Sequence, residues 1–113
     1  MQTIKHGDLF EWIQTGQSMT LVEVLPRECF RDFHLPNAIN VPFDEHFDEE
    51  ILRAVPTRSA PVVVYCQDAG CQASAAAARR LEALGYTNVY HYAAGKSDWK
   101  DAGLRIESMS FVD

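Results

Sequence analysis

The chain has 113 residues, of which 47% are apolar and 23% charged. These proportions suit one compact domain over 1–113 and exclude a disordered segment, a collagen-like rod or a coiled coil. A formal charge of -6 with no run of Lys or Arg excludes the clustered basic face that nucleic acid or an anionic membrane requires. The longest uncharged apolar run, Pro61 to Gln67, is far too short to cross a bilayer, and the N-terminus lacks the basic-then-apolar order of a signal peptide. The expectation is a soluble, cytoplasmic protein with no nucleic-acid or membrane partner.

Taken in chain order, residues 8–15 place Leu9, Phe10, Trp12 and Ile13 at helical spacing. Residues 20–25, TLVEVL, predict a strand, and residues 38–42, AINVP, a shorter one ended by Pro42. A helix follows over 44–54 with Phe47, Ile51 and Leu52, its acidic run Asp44, Glu45, Asp48, Glu49 and Glu50 reading as a solvated face. The strongest strand signal is 61–65, PVVVY. Its consecutive apolar residues do not alternate, which suits a central parallel strand covered on both faces. Residues 73–84 predict a helix through Ala77, Leu81 and Leu84, with Gly85 placed to cap it. Asn88 to His91 supply a last short strand. Strands alternating with helices imply right-handed crossovers and a mainly parallel α/β sheet.

Three cysteines, Cys29, Cys66 and Cys71, are an odd number and too few for a disulfide framework. Cys-x4-Cys without a second ligand pair does not match a structural zinc site, so neither metal nor cofactor is expected. Cys66 is the first residue after the central strand. In open α/β sheets ligands bind beyond the carboxyl ends of the strands, where the next helix aims its unpaired N–H groups and positive dipole end. A thiol so placed has its pKa lowered from about 8.5 and becomes a nucleophile. The alternative is a small buried apolar cysteine.

These residues carry a family resemblance. The segment LVEVLPRECFRDFHLPNAINVPF, with His34, Pro36, Ala38 and Asn40, then VVVYC, then AAGKSDWKDAGLRIE with Trp99, Ala102 and Gly103, resemble in order the signatures of the rhodanese-like domain family. The resemblance implies a three-layer α/β fold, a mainly parallel sheet of about five short strands flanked by helices. It also implies sulfurtransferase chemistry on Cys66. A typical family loop runs from Cys through four variable residues to Arg and Ser, whereas this one reads Cys66, Gln67, Asp68, Ala69, Gly70, Cys71, Gln72, Ala73, Ser74 and contains no Arg or Lys. Cysteine phosphatases and arsenate reductases on the same fold end the loop with an oxyanion-clamping Arg, so phosphatase action is not expected. Thiosulfate turnover should be weak, because a dianion meets Asp68 and a negative protein.

The expected reaction is sulfane-sulfur transfer, from a sulfur donor to a thiol acceptor (small molecule or protein) or to cyanide. Cys66 takes the sulfur as a persulfide, and the backbone amides of Gln67, Asp68, Ala69, Gly70 and Gln72, with Lys96 at the mouth, bind the cargo. Cys71, five residues on, stands as a resolving thiol or as a packed filler. A redox or regulatory module built on a Cys66–Cys71 disulfide, and a catalytically silent binding domain, are the alternatives. Cys29 reads as core, His34 as a structural hydrogen-bonding residue, and Trp12 and Trp99 as core anchors. His91 and Tyr92 end a strand on the catalytic side, where they line the pocket or simply pack.

Overall fold

The structure is a computed structural model that describes residues 1–109. Its elements are β1 (Gln2–Thr3), α1 (His6–Thr15), β2 (Thr20–Glu23), α2 (Arg27–Asp32), β3 (Ile39–Asn40), α3 (Phe47–Ala54), β4 (Val62–Tyr65), α4 (Ala73–Ala83), β5 (Val89–Tyr92) and α5 (Gly95–Asp101). The five strands form one parallel sheet in the order β1-β5-β4-β2-β3.

β4 is central and buried along its length. Val62 and Val64 face a core with Phe47 and Ile51 of α3 and Ala77, Ala78 and Leu81 of α4. Val63 and Tyr65 face the opposite core with Leu9 of α1, Tyr92 and Trp99. Period-two side-chain direction with apolar residues at every position therefore produces a sheet sandwiched between helical layers. The alanines of α4 let that helix lie close to the sheet. Gly85, at φ 96°, closes α4 in the left-handed region, with Gly85 N–H donating to the Glu82 carbonyl and Tyr86 N–H to that of Leu81.

Three elements lie outside the sequence expectation. β1 is two residues long and shows no periodicity of its own; its register against β5 sets Gln2 beside Tyr90 and Thr3 beside His91. α2 is too short for a helical repeat to register, although Pro26 at its N-cap and Glu28 in its first turn are helix-start chemistry. α5 buries Gly95, Lys96 and Trp99, and its polar letters hide a packed helix. α3 begins at Phe47 rather than 44, because the Asp44 carboxylate accepts the His46 N–H at 2.9 Å and holds a turn ahead of the helix. Asp48 of its acidic face is ion-paired with Arg80 of α4, which holds the Asp48 carboxyl below its ordinary range.

Candidate active site

The sheet delivers Cys66 directly from the end of β4, and α4 begins at Ala73, so the loop between them bridges the carboxyl edge of the sheet. The side of the loop nearest α5 is fixed by main chain. Lys96 N–H donates to the Cys66 carbonyl at 3.0 Å and Ser97 N–H to the Gln67 carbonyl at 2.9 Å, while Gln67 Nε2 donates to Ser97 Oγ at 3.0 Å. Gly95 makes this approach feasible: at φ 77° a Cβ there would sit 2.6 Å from Asp68 N. The first turn of α4 carries no side-chain cap, so its amides and dipole end remain available to an anionic sulfur.

Cys66 is 1% exposed. Its Sγ lies 3.1 Å from Ser74 Oγ, and Ser74 Oγ lies 2.8 Å from His91 Nε2. Cys66 and Cys71 are paired as a disulfide, with their Cα atoms 6.4 Å apart, inside the span such a bond demands. Cys71 is partly exposed, whereas Cys66 lies beneath it. Cys29 is a free thiol.

Several expected site residues behave differently from the sequence reading. Lys96 does not present its ammonium at the mouth. It is 1% exposed and donates from Nζ to Glu23 Oε2 at 3.0 Å and to the carbonyls of Cys29 and Phe33 at 2.8 and 2.7 Å. The stem is drawn inward because Glu23, 0% exposed, is a buried carboxylate that needs a partner. Burial pushes the Glu23 carboxyl above its ordinary range, and Lys96 opposes that shift.

Nor do all the loop amides converge on sulfur. The Asp68 carboxylate accepts Gly70 N–H at 3.0 Å and its carbonyl accepts Cys71 N–H at 3.1 Å, a local turn that occupies both donors. Asp68, Ala69, Gly70 and Gln72 are exposed and Gln67 is half-buried. Beside the loop a cleft of about 420 Å³ is lined by Val24, Leu25, Arg27, Phe43, Glu50 and Ala73, among others. Arg27 of α2 lines this cleft together with Ala73 at the start of α4, a placement that sequence spacing alone did not reveal.

The residues read as structural do structural work. His34 Nδ1 lies 2.7 Å from the Phe30 carbonyl, and its ring stacks on Phe30. Trp99 is 1% exposed, with Nε1 donating to the Arg105 carbonyl at 2.8 Å; Trp12 packs edge-on against Tyr90. Tyr92 is fully buried and its hydroxyl donates to Asp98 Oδ2 at 2.7 Å. Ser74 and His91 are a hydrogen-bonded pair that sequence reasoning did not link, since they are brought together only by packing of α4 on β5. Among the described residues no group of three or more His, Cys, Asp or Glu is arranged to hold a metal ion, and no helix is long and apolar enough to cross a membrane.

Fold and site together define an open parallel α/β domain that presents a cysteine loop at the carboxyl edge of its sheet. The rhodanese-like domain model matches residues 6–102, and the chain belongs to that family. It is 35% identical over 94 residues to the adenylyltransferase and sulfurtransferase UBA4 of Candida albicans, covering 79% of this chain and 21% of that protein. It is 32% identical over 104 residues to the HTH-type transcriptional regulator Rv0324 of Mycobacterium tuberculosis, covering 92% of this chain and 44% of that protein. The chain therefore spans less than half the length of either relative. A thiosulfate sulfurtransferase from Pseudomonas aeruginosa superposes with a TM-score of 0.86 at 28% identity, over 96% of this chain and 20% of the other.

Proposed function

We propose that the chain acts in the cytoplasm as a rhodanese-like sulfurtransferase or persulfide carrier. One observation carries the reading: Cys66 stands at the carboxyl end of the central strand, against the uncapped first turn of α4. In this reaction the Cys66 thiolate attacks the outer sulfur of a donor persulfide R–S–SH. The new bond is Cys66 Sγ to sulfur, the donor S–S bond breaks, and R–S⁻ departs. An acceptor thiolate or cyanide then attacks the outer sulfur and regenerates the Cys66 thiolate. Gln67, Asp68, Ala69 and Gln72 line the cradle, with the first-turn amides of α4 facing the cargo. Lys96 serves through its main-chain N–H, which positions the Cys66 carbonyl.

The Cys66–Cys71 pair supports a second, linked role. Cys71 thiolate attacking the inner sulfur of Cys66 persulfide forms the disulfide and releases HS⁻, so the same loop discharges its sulfur and enters a resting oxidised state. An external thiol reopens it.

The reduced protein, supplied with cyanide and a low-molecular-weight persulfide, is expected to form thiocyanate steadily. Thiosulfate at equal concentration should give a rate lower by about two orders of magnitude, the scale of one missing charged oxyanion contact, and Cys66→Ser should give none with either donor. Equal rates from both donors would contradict the donor preference, and turnover by Cys66→Ser would remove Cys66 from the reaction.

A further inference from the structure

The loop contains no Arg or Lys, and the side chain of Lys96 is committed to Glu23. Besides the main chain and the α4 dipole, something must receive the Cys66 thiol proton before sulfur can attack. The contacts behind Cys66 supply a route. Ser74, 1% exposed, touches the sulfur on one side at 3.1 Å and His91 Nε2 on the other at 2.8 Å, and a hydroxyl can accept one proton while giving up another.

We infer that Ser74 and His91 form a proton relay behind Cys66, in which the imidazole takes the thiol proton through the serine hydroxyl without itself touching sulfur. In this step the Cys66 S–H bond breaks as an O–H bond forms on Ser74, while the original Ser74 O–H proton passes to His91 Nε2. The products are a Cys66 thiolate that accepts from Ser74 and an imidazolium that donates to Ser74. Ser74 is the residue in contact with the reacting sulfur, and His91 is a positioning and proton-holding residue. The inference extends the role of Cys66 as a nucleophile and requires no particular sulfur donor.

The surroundings of His91 keep the ring uncharged before transfer, so the imidazolium formed in the step draws its stabilisation from the Cys66 thiolate across Ser74. Burial first, and then the positive charge of Arg79 on α4, hold its pKa below the ordinary histidine value, so at neutral pH the imidazole is uncharged. Its cross-strand neighbours, Thr3 on β1 and Val64 on β4, bring no charge. The relay also works on the oxidised loop. When an external thiolate attacks partly exposed Cys71, the Cys71–Cys66 bond breaks and the electrons leave on Cys66, where Ser74 already stands to donate. Attack is thereby directed to Cys71, because the better-stabilised thiolate departs faster.

The test is the pH dependence of iodoacetamide alkylation of Cys66, followed by peptide mass in the fully reduced protein, with the urea-unfolding midpoint of each variant reporting whether the fold is intact. In the wild type, the midpoint should lie below the ordinary thiol value of about 8.5. Ser74→Ala and His91→Gln should each raise it and slow alkylation at pH 7 about tenfold, the equivalent of one pKa unit. The double variant should lose no more than either single one, as expected for members of one chain of hydrogen bonds. Ser74→Thr, which retains the hydroxyl, should keep the wild-type profile.

A wild-type midpoint at the ordinary thiol value would overturn the relay, as would an unchanged midpoint in a His91→Gln variant that unfolds in urea like the wild type, or effects that multiply in the double variant. Because alkylation reads the thiol and not its sulfur cargo, these outcomes are independent of whether Cys66 accepts sulfane sulfur.

Discussion

Lys96→Met is expected to destabilise the fold by about 3–5 kcal/mol at neutral pH, the scale of removing one partner from a buried ion pair. The substitution keeps the apolar stem but leaves the Glu23 carboxylate, 0% exposed, without its cation, and removes the donor from the carbonyls of Cys29 and Phe33. Glu23 already has a pKa above its ordinary value because of burial, with Lys96 pulling it back. Without Lys96 it rises further, so between the unfolded value of 4.5 and that higher folded value the native state binds a proton that the unfolded chain does not. Stability then increases as pH falls through this window. Urea unfolding should show Lys96→Met losing much of its deficit at mildly acidic pH, and Glu23→Gln combined with Lys96→Met should recover part of it at pH 7. A loss below about 1 kcal/mol, accompanied by weaker donor binding, would instead place the Lys96 ammonium at the mouth of the site.

The second large effect is expected at Gly95. An alanine Cβ there would meet Asp68 N at 2.6 Å and the carbonyl carbon and oxygen of Gln67 at 2.7 Å each. All three are backbone atoms, so no side chain can swing aside. The left-handed φ of 77° costs a non-glycine residue about 1–2 kcal/mol. Displacing the loop also weakens the bonds from Lys96 N–H and Ser97 N–H to the loop carbonyls, about 1 kcal/mol each. Gly95→Ala should therefore cost about 3–4 kcal/mol in urea unfolding and slow Cys66 chemistry at least about tenfold through misplacement of the thiol. Gly103 provides the control: it shares φ 77° but has nothing within 4 Å, so Gly103→Ala should pay the conformational cost alone. Equal losses at the two positions would show that the loop does not press on Gly95.

The legible parts of the protein were those whose physics is local. The four-residue apolar strand, the Ala77–Leu81–Leu84 spacing and the glycine after it are chain-neighbour patterns, and each marked an element that the structure contains. The position of Cys66 was legible for the same reason, since the end of a strand and the start of a helix are both written in sequence. The Glu23–Lys96 pair was not legible. Its members are 73 residues apart, and neither residue type signals burial by itself. The same holds for Ser74 and His91, 17 residues apart, which meet because α4 crosses back over β5. Asp68 shows a third kind of failure: its charge was readable, but its turn, which occupies the amides of Gly70 and Cys71, depends on loop conformation. The absence of a cation from the loop was plain from the residues, whereas the approach of Arg27 to this edge depends on the short helix α2 that sequence did not announce.

The proposed chemistry depends on Cys66 taking up a sulfane sulfur. The most direct measurement is intact mass of the fully reduced protein after brief exposure to a low-molecular-weight persulfide and removal of the donor, performed on wild type, Cys66→Ser and Cys71→Ser. A gain of one sulfur atom is expected in Cys71→Ser, where the resolving thiol is gone and the persulfide persists. The wild type should show the same gain followed by decay to the disulfide with release of HS⁻, and Cys66→Ser should show no gain. A sulfur adduct that survives Cys66→Ser, or no adduct in Cys71→Ser, would contradict sulfur uptake by Cys66.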